Sequence, residues 1–234
     1  NYIKYPGGPS PEPLLSNKVG LNRFVWDMRY NNLPGAPTAY IEGSFRGHKA
    51  MPNAYTAAIK QDNQSSKVSF NILPNPLYNS TKEAYQETHD FQMKTGANLT
   101  DMHIRVHKLK KIQHKIAIIL KDLPREKKYS MVRSKGEKIL KKLISWDEDM
   151  VQRKSKAYDD VENFPNKFTA EYIFLINQND SDLPIVNQGS KDRRVELDKQ
   201  WKILKSTSEE LINTIIPAYN SLLWDHGIGA LNIE

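Results

Sequence analysis

Three histidines, His103, His107 and His114, are separated by four and seven residues, a spacing that returns to one side of an α-helix. Histidines four apart are a recognised zinc-binding pair. However, no Glu stands between them as in HExxH, and they sit well around the helix from its apolar residues. A solvated face beside the lysines of "KLKK" accounts for them, so no metal centre is expected. The acidic stretches "WDEDM", "YDDVENF" and "NDSDLP" raise calcium binding or a pair of catalytic carboxylates. Asp180 and Asp182 have the first spacing of a calcium loop, yet Pro184 stands at the next ligand position and no glycine follows to make the sharp turn. Helix-end charges and turn residues explain all three stretches. The chain has no cysteine, which removes thiolate nucleophiles, disulfides and Cys-ligated zinc. No GxSxG, phosphate-binding loop or GxGxxG occurs either. The reading assigns no catalytic residue, no metal ligand and no cofactor.

Two sets of residues remain as binding candidates. Tyr30, Tyr40 and Phe45 flank a stretch rich in Gly and Pro, and could offer an exposed platform on which a sugar ring stacks. Trp26 reads instead as buried core, with Tyr55 as its partner on a facing strand. Lys108, Lys110, Lys111, Lys115, Lys138, Lys141 and Lys142 are the candidates for a polyanion surface. Residues 101–156 hold seventeen Lys and Arg against seven Asp and Glu, and residues 157–234 hold seven against thirteen. Base stacking would need aromatic residues interleaved with the basic run, and none are. Two helix faces that attract one another explain the asymmetry better, and nucleic acid is not an expected partner.

The elements that would position these residues fall into two halves. The chain of 234 residues carries a net charge of +7 and is 38% apolar, ordinary for a soluble protein. It contains no apolar run of about eighteen residues that could span a membrane. It begins without Met or a secretory h-region and reads as a piece of a longer polypeptide. Most of the thirteen prolines fall before residue 78, a region of loops and short strands. "NRFVWDMRY" alternates, with Phe24, Trp26 and Met28 on one side. Strands are expected at Ala54–Lys60 and Lys67–Leu73 around a turn at Asp62 and Asn63, with an edge strand at Ala39–Glu42.

From Asn79 the period becomes helical, with Asn79 or Ser80 as N-cap and Glu83 completing a capping box. Met102, Val106, Leu109, Ile116 and Leu120 share one face up to "DLPRE". Val132, Ile139, Leu143, Trp146 and Met150 mark a second helix. A short third helix contains "AEYIFLI", with Pro165 in its first turn. The last runs from about Lys191 to His226, kinked at Pro217. The fold class is therefore α+β. Residues 1–78 are expected to form an Ig-like or FnIII-like β-sandwich, complete or partial, and residues 79–234 an elongated antiparallel bundle of three long helices and one short one.

"GLNRFVWDMRY" followed by "MPNAYTAAI" resembles the Ig-like module of flagellar hook-capping proteins. It is closer still to the C-terminal region of secreted bacterial proteins with sortilin-type, Asp-box (BNR) β-propellers, often labelled glycosyl-hydrolase-like. "ENFPNKF", "NDSDLPIVNQ" and "LINTIIPAYNSLLWDHGI" continue that resemblance in the same order. Where the family usually has Gly before the Tyr this chain has Asn53-Ala54, and the family's Asp-Pro-Arg appears as Asn75-Pro76-Leu77. The resemblance implies an exported, periplasmic or extracellular bacterial protein whose propeller, with any catalytic apparatus, lies upstream. This region would then be a non-catalytic appendage or protein-interaction platform, its partner that propeller or another protein. A carbohydrate-binding module using Tyr30, Tyr40 and Phe45, with a glycan as ligand, is the first alternative. A polyanion binder using the seven lysines is the second.

Overall fold

The computed structural model describes residues 7–157, 160 and 162–231. Its element order is β1 (Asn53–Gln61), β2 (Gln64–Ile72), α1 (Lys82–Asp122), a 3-10 turn (Lys127–Tyr129), α2 (Ser130–Met150), α3 (Phe168–Gln178), α4 (Gln188–Glu210), a π turn (Leu211–Ile215) and α5 (Ile216–Asp225).

The helices form where the apolar spacing requires them. Leu99, Met102, Val106, Leu109, Ile112 and Ile116 recur every three or four residues along α1, and all are buried. The matching stripe of α2 runs through Val132, Ile139, Leu143, Trp146 and Met150. α1 is capped by Thr81, whose hydroxyl accepts from the Ala84 N–H at 3.2 Å, rather than by Asn79 or Ser80. It ends at Leu123, ahead of Pro124. α3 starts three residues after Pro165 rather than around it. α4 is capped by Asn187, which accepts from the Ser190 N–H at 2.8 Å.

Side chains that reach a neighbour's backbone lock the helices together. Trp146 Nε1 donates to the Leu204 carbonyl at 2.9 Å, Thr169 to Met150 at 3.0 Å, and Gln92 Nε2 to Ile176 at 3.0 Å. Between α4 and α5 the backbone widens. Pro217 has no N–H to give the Asn213 carbonyl, and the Ile216 N–H bonds back five residues to Leu211. The break expected at Pro217 is thus a π turn.

The sandwich does not form. The described residues contain one sheet, the antiparallel pair β1-β2, against 52% helix. An Ig-like fold needs a second sheet facing the first, and the residues expected to supply it are used otherwise. Arg23–Tyr30 makes no ladder, only an isolated bridge between Arg29 and Lys49, and Met28 turns the chain with φ of 57°. The edge strand expected at Ala39–Glu42 is a loop. It lays Ala36, Ala39, Ile41 and Phe45 into the same core as the helices. Asn177 on α3 clasps this loop, accepting from the Ser44 N–H at 2.7 Å and donating to the Ser44 carbonyl at 2.8 Å. Arg153, bidentate on buried Asp147 at 2.5 and 2.6 Å, also donates to the Pro37 carbonyl and to Thr38. Alternation in "NRFVWDMRY" therefore marks a sidedness, while the ladder partner that would make it a strand is missing. The segment before Gly20 forms no strand in its described part, and residues 1–6 lie outside the described residues.

Candidate functional site

β1 and β2 pair over nine residues each, joined by Asp62 and Asn63, with Asp62 at φ of 50°. The two-residue period sorts their side chains onto two faces. Tyr55, Ala57 and Ile59 stand opposite Phe70, Val68 and Ser66, and with Ile72 opposite Asn53 they form a largely apolar, uncharged face that ends in Gln61 and Gln64. Thr56, Ala58, Lys60, Ser65, Lys67, Ser69 and Asn71 form the polar one.

At its base the apolar face is closed by Trp26, whose ring lies 5.8 Å from Tyr55 and 6.1 Å from Phe70. Trp26 Nε1 donates to the Arg29 carbonyl at 2.8 Å and Tyr55 Oη to the Met51 carbonyl at 2.8 Å, so both rings are held. Beyond this triad the face is open: Ile59 is 55% exposed and Val68 62%. Phe24 and Val25, just before Trp26 in the chain, are exposed as well. Each strand pairs only with the other among the described residues, so both outer edges carry unpaired backbone groups.

The hairpin is fastened to the bundle below Trp26. Arg29, largely buried, places one guanidinium nitrogen 2.9 Å and 3.1 Å from the two carboxylate oxygens of Asp180, and 2.8 Å from the Gly47 carbonyl. Gly47 is required there because a Cβ would stand 2.1 Å from the Tyr30 carbonyl oxygen. Lys49 pairs with Asp182. The ring of Tyr30 stacks on His48 at 4.4 Å and 13°, and His48 Nε2 lies 3.0 Å from His89 Nδ1 on α1. Desolvation, then the neighbouring His89, pushes the His48 pKa down to about 4. The His48 imidazole is therefore neutral at ordinary pH.

The expected sugar platform does not assemble. Phe45 is 5% exposed and packed in the core near His103. Tyr40 is half-buried with its ring against Gly7. Tyr30 keeps an exposed edge but spends a face on His48. The lysines diverge as well. Lys108 lines a groove with Asp101 and Glu209, and Lys110 bonds Asp147 at 3.3 Å. Lys138 and Lys142 border a different groove with Lys135, between α2 and α5. Lys111 and Lys141 are exposed, and Lys115 is half-buried.

His103 is not on a solvated face. It is 1% exposed, its Nδ1 2.5 Å from the Pro34 carbonyl, while His107 is half-buried and His114 exposed. Asp180 and Asp182 hold Arg29 and Lys49 in place of an ion, and no cluster of three or more metal-ligating side chains exists among the described residues. "YDDVENF" falls partly outside the described residues. No described helix is long and apolar enough to cross a membrane. Sequence reasoning missed the Tyr30, His48 and His89 cluster, because nothing local marks residues 30, 48 and 89 as neighbours.

No protein-family model matches the chain, no curated protein matches it, and no solved structure matches it.

Proposed function

We propose that this chain is a non-catalytic, protein-interacting region of an exported propeller protein, and that the open face of its hairpin is the contact surface. The observation that carries this reading is the exposed outer part of the apolar face of β1-β2, adjoining Trp26 and flanked by two unpaired edges. An isolated two-stranded hairpin is marginal in water and gains stability from further strands or a packed layer. An uncharged, period-two surface suits another β-sheet, which packs at roughly 10 Å face to face or adds at an edge. The occupant is therefore a β-sheet, and the resemblance of "GLNRFVWDMRY" and "MPNAYTAAI" to propeller-linked proteins selects the upstream propeller of the same polypeptide. The helical bundle serves as the rigid base that presents this surface.

Photo-crosslinking in the full-length protein tests the reading. A benzophenone side chain at Ile59 faces the proposed sheet, and one at Ala58 faces away from it. The expected result is an adduct between position 59 and a propeller strand, several-fold stronger than from position 58. Equal labelling from both positions, no adduct, or an adduct only to a second copy of the chain would overturn it.

A further inference from the structure

A cavity of about 350 Å³ lies between α2 and the π turn with the start of α5. That volume is at the lower end of the range for small-molecule sites, roughly 300 to 1,000 Å³. Its apolar lining comes from Ile139 on α2 and from Ile215, Ala218 and Tyr219. The two sides are pinned together beside it. Gly136 carries no Cβ, which would stand 2.3 Å from Tyr219 Oη, and that hydroxyl donates to the Val132 carbonyl at 3.3 Å. Ala218 is exposed and contributes only a methyl group to the wall.

The rest of the lining is Thr214 and three lysines, Lys135, Lys138 and Lys142. Offsets of three and seven residues put the lysines on one side of α2, within about 60° of one another at 100° per residue. All three are exposed, and none pairs with a carboxylate among the described residues. Like charges three and four residues apart repel and weaken a helix, and no acidic residue lines this cavity to offset them. An apolar wall beneath three uncompensated cations is complementary to a molecule that is apolar at one end and anionic at the other.

We infer that this cavity binds a small single-chain amphiphile with an anionic head. Its chain lies against Ile139, Ile215 and Ala218, and its head, a carboxylate or a sulfate or phosphate monoester, sits among the three ammonium groups. Lysine is a compact cation without the planar fork by which arginine selects one head geometry, so charge rather than head shape sets the preference. Size separates this occupant from an acidic segment of another protein. A protein interface takes roughly 20 to 30 residues a side, whereas eight residues line this cavity. Asp149 and Glu210 line the adjoining cavity, which shares Lys142 and Ile215 with this one, and would repel an acidic segment continuing along α2. The inference is independent of the hairpin face, which lies on β1 and β2.

The test titrates the whole chain with octanoate, with octanol, which has the same chain length without the charge, with octyl sulfate, and with acetate, which has the head without the chain. Binding is followed by NMR of the Thr214 and Ala218 backbone amides, with the Ile59 and Val68 amides reporting the hairpin face. Octanoate is expected to saturate at Thr214 and Ala218, with octyl sulfate matching it and acetate silent. Octanol is expected to bind about tenfold more weakly, the combined effect of three surface ion pairs. Added salt should shrink that difference, because the ammonium groups are exposed to screening. Ala218→Trp, at an exposed helical position, fills the cavity and is expected to abolish binding. Lys135→Gln, Lys138→Gln and Lys142→Gln together are expected to bring octanoate down to octanol. No saturation at millimolar octanoate, equal affinity for octanoate and octanol, exclusion of octyl sulfate, or shifts confined to Ile59 and Val68 overturns the inference, and each is read on the unaltered protein. Binding that survives Ala218→Trp overturns it as well.

Discussion

His103→Gln is expected to make the protein less sensitive to acid. His103 is 1% exposed, and burial pushes its pKa down to about 4 against the contrary pull of the Pro34 carbonyl. No charged side chain contributes to that shift. Because Nδ1 must donate to Pro34, the ring is neutral with Nε2 unprotonated and unpartnered. In the unfolded chain the same group titrates near pH 6.5, so below that pH the unfolded state binds a proton that the folded state refuses. The linkage slope then makes stability fall as pH drops from about 6.5 towards 4. At one pKa unit per 1.36 kcal/mol, the loss at pH 5 relative to pH 7.5 is about 2 kcal/mol. For a chain of this length that is a fall of roughly 4 to 8 °C in Tm. Gln keeps a donor for Pro34 and does not titrate. Thermal or urea unfolding of both proteins between pH 7.5 and 5 should therefore show wild type losing about 2 kcal/mol more than the variant, whatever the variant's stability at pH 7.5. Parallel pH profiles would refute the argument, since the proton would then not be taken up at residue 103.

Other substitutions probe the fastening of the hairpin and its open face. Arg29→Ala leaves Asp180 partly buried without its partner, and a stability loss of about 3 kcal/mol is expected in urea unfolding. Gly47→Ala drives a Cβ into the Tyr30 backbone, and should either prevent folding or abolish protection of the Tyr30 and Leu33 amides in hydrogen exchange. Val68→Lys should change the stability of the isolated chain by no more than about 0.5 kcal/mol, because the side chain is exposed, while abolishing the crosslink expected from position 59. Arg153→Ala leaves buried Asp147 with Lys110 alone and releases Pro37, with an expected cost of about 3 kcal/mol by the same assay.

The helical half was legible because a 3.6-residue period is a local property. Val132, Ile139, Leu143, Trp146 and Met150 declare a buried face without reference to any other element. The hairpin was legible for a similar reason, since its two alternating runs and their turn adjoin one another. Arg23–Tyr30 misled because a strand is defined by its ladder, and no nearby residue says that only Arg29 and Lys49 will pair. His103 and Phe45 were misplaced by the same limit. Pro34, sixty-nine positions before His103, covers one side of α1 and turns an exposed face into an interior one. The base of the hairpin joins residues 29, 48, 89 and 180, drawn from four separate segments, and only the packed chain brings them together.

The π turn at Leu211–Ile215 also sets the angular phase of everything after it. An α-helix advances about 100° per residue, so the extra residue in this one turn rotates α5 by roughly that angle relative to a straight continuation of α4. The rotation lets Leu197 and Trp201 on α4 and Ile216, Tyr219 and Leu223 on α5 all lie buried. Tyr219 then reaches across to the Val132 carbonyl at 3.3 Å. The end of the chain is thereby keyed to a residue count, and deleting any one residue between 211 and 215 would swing Tyr219 out of its seat even if the helix itself became more regular.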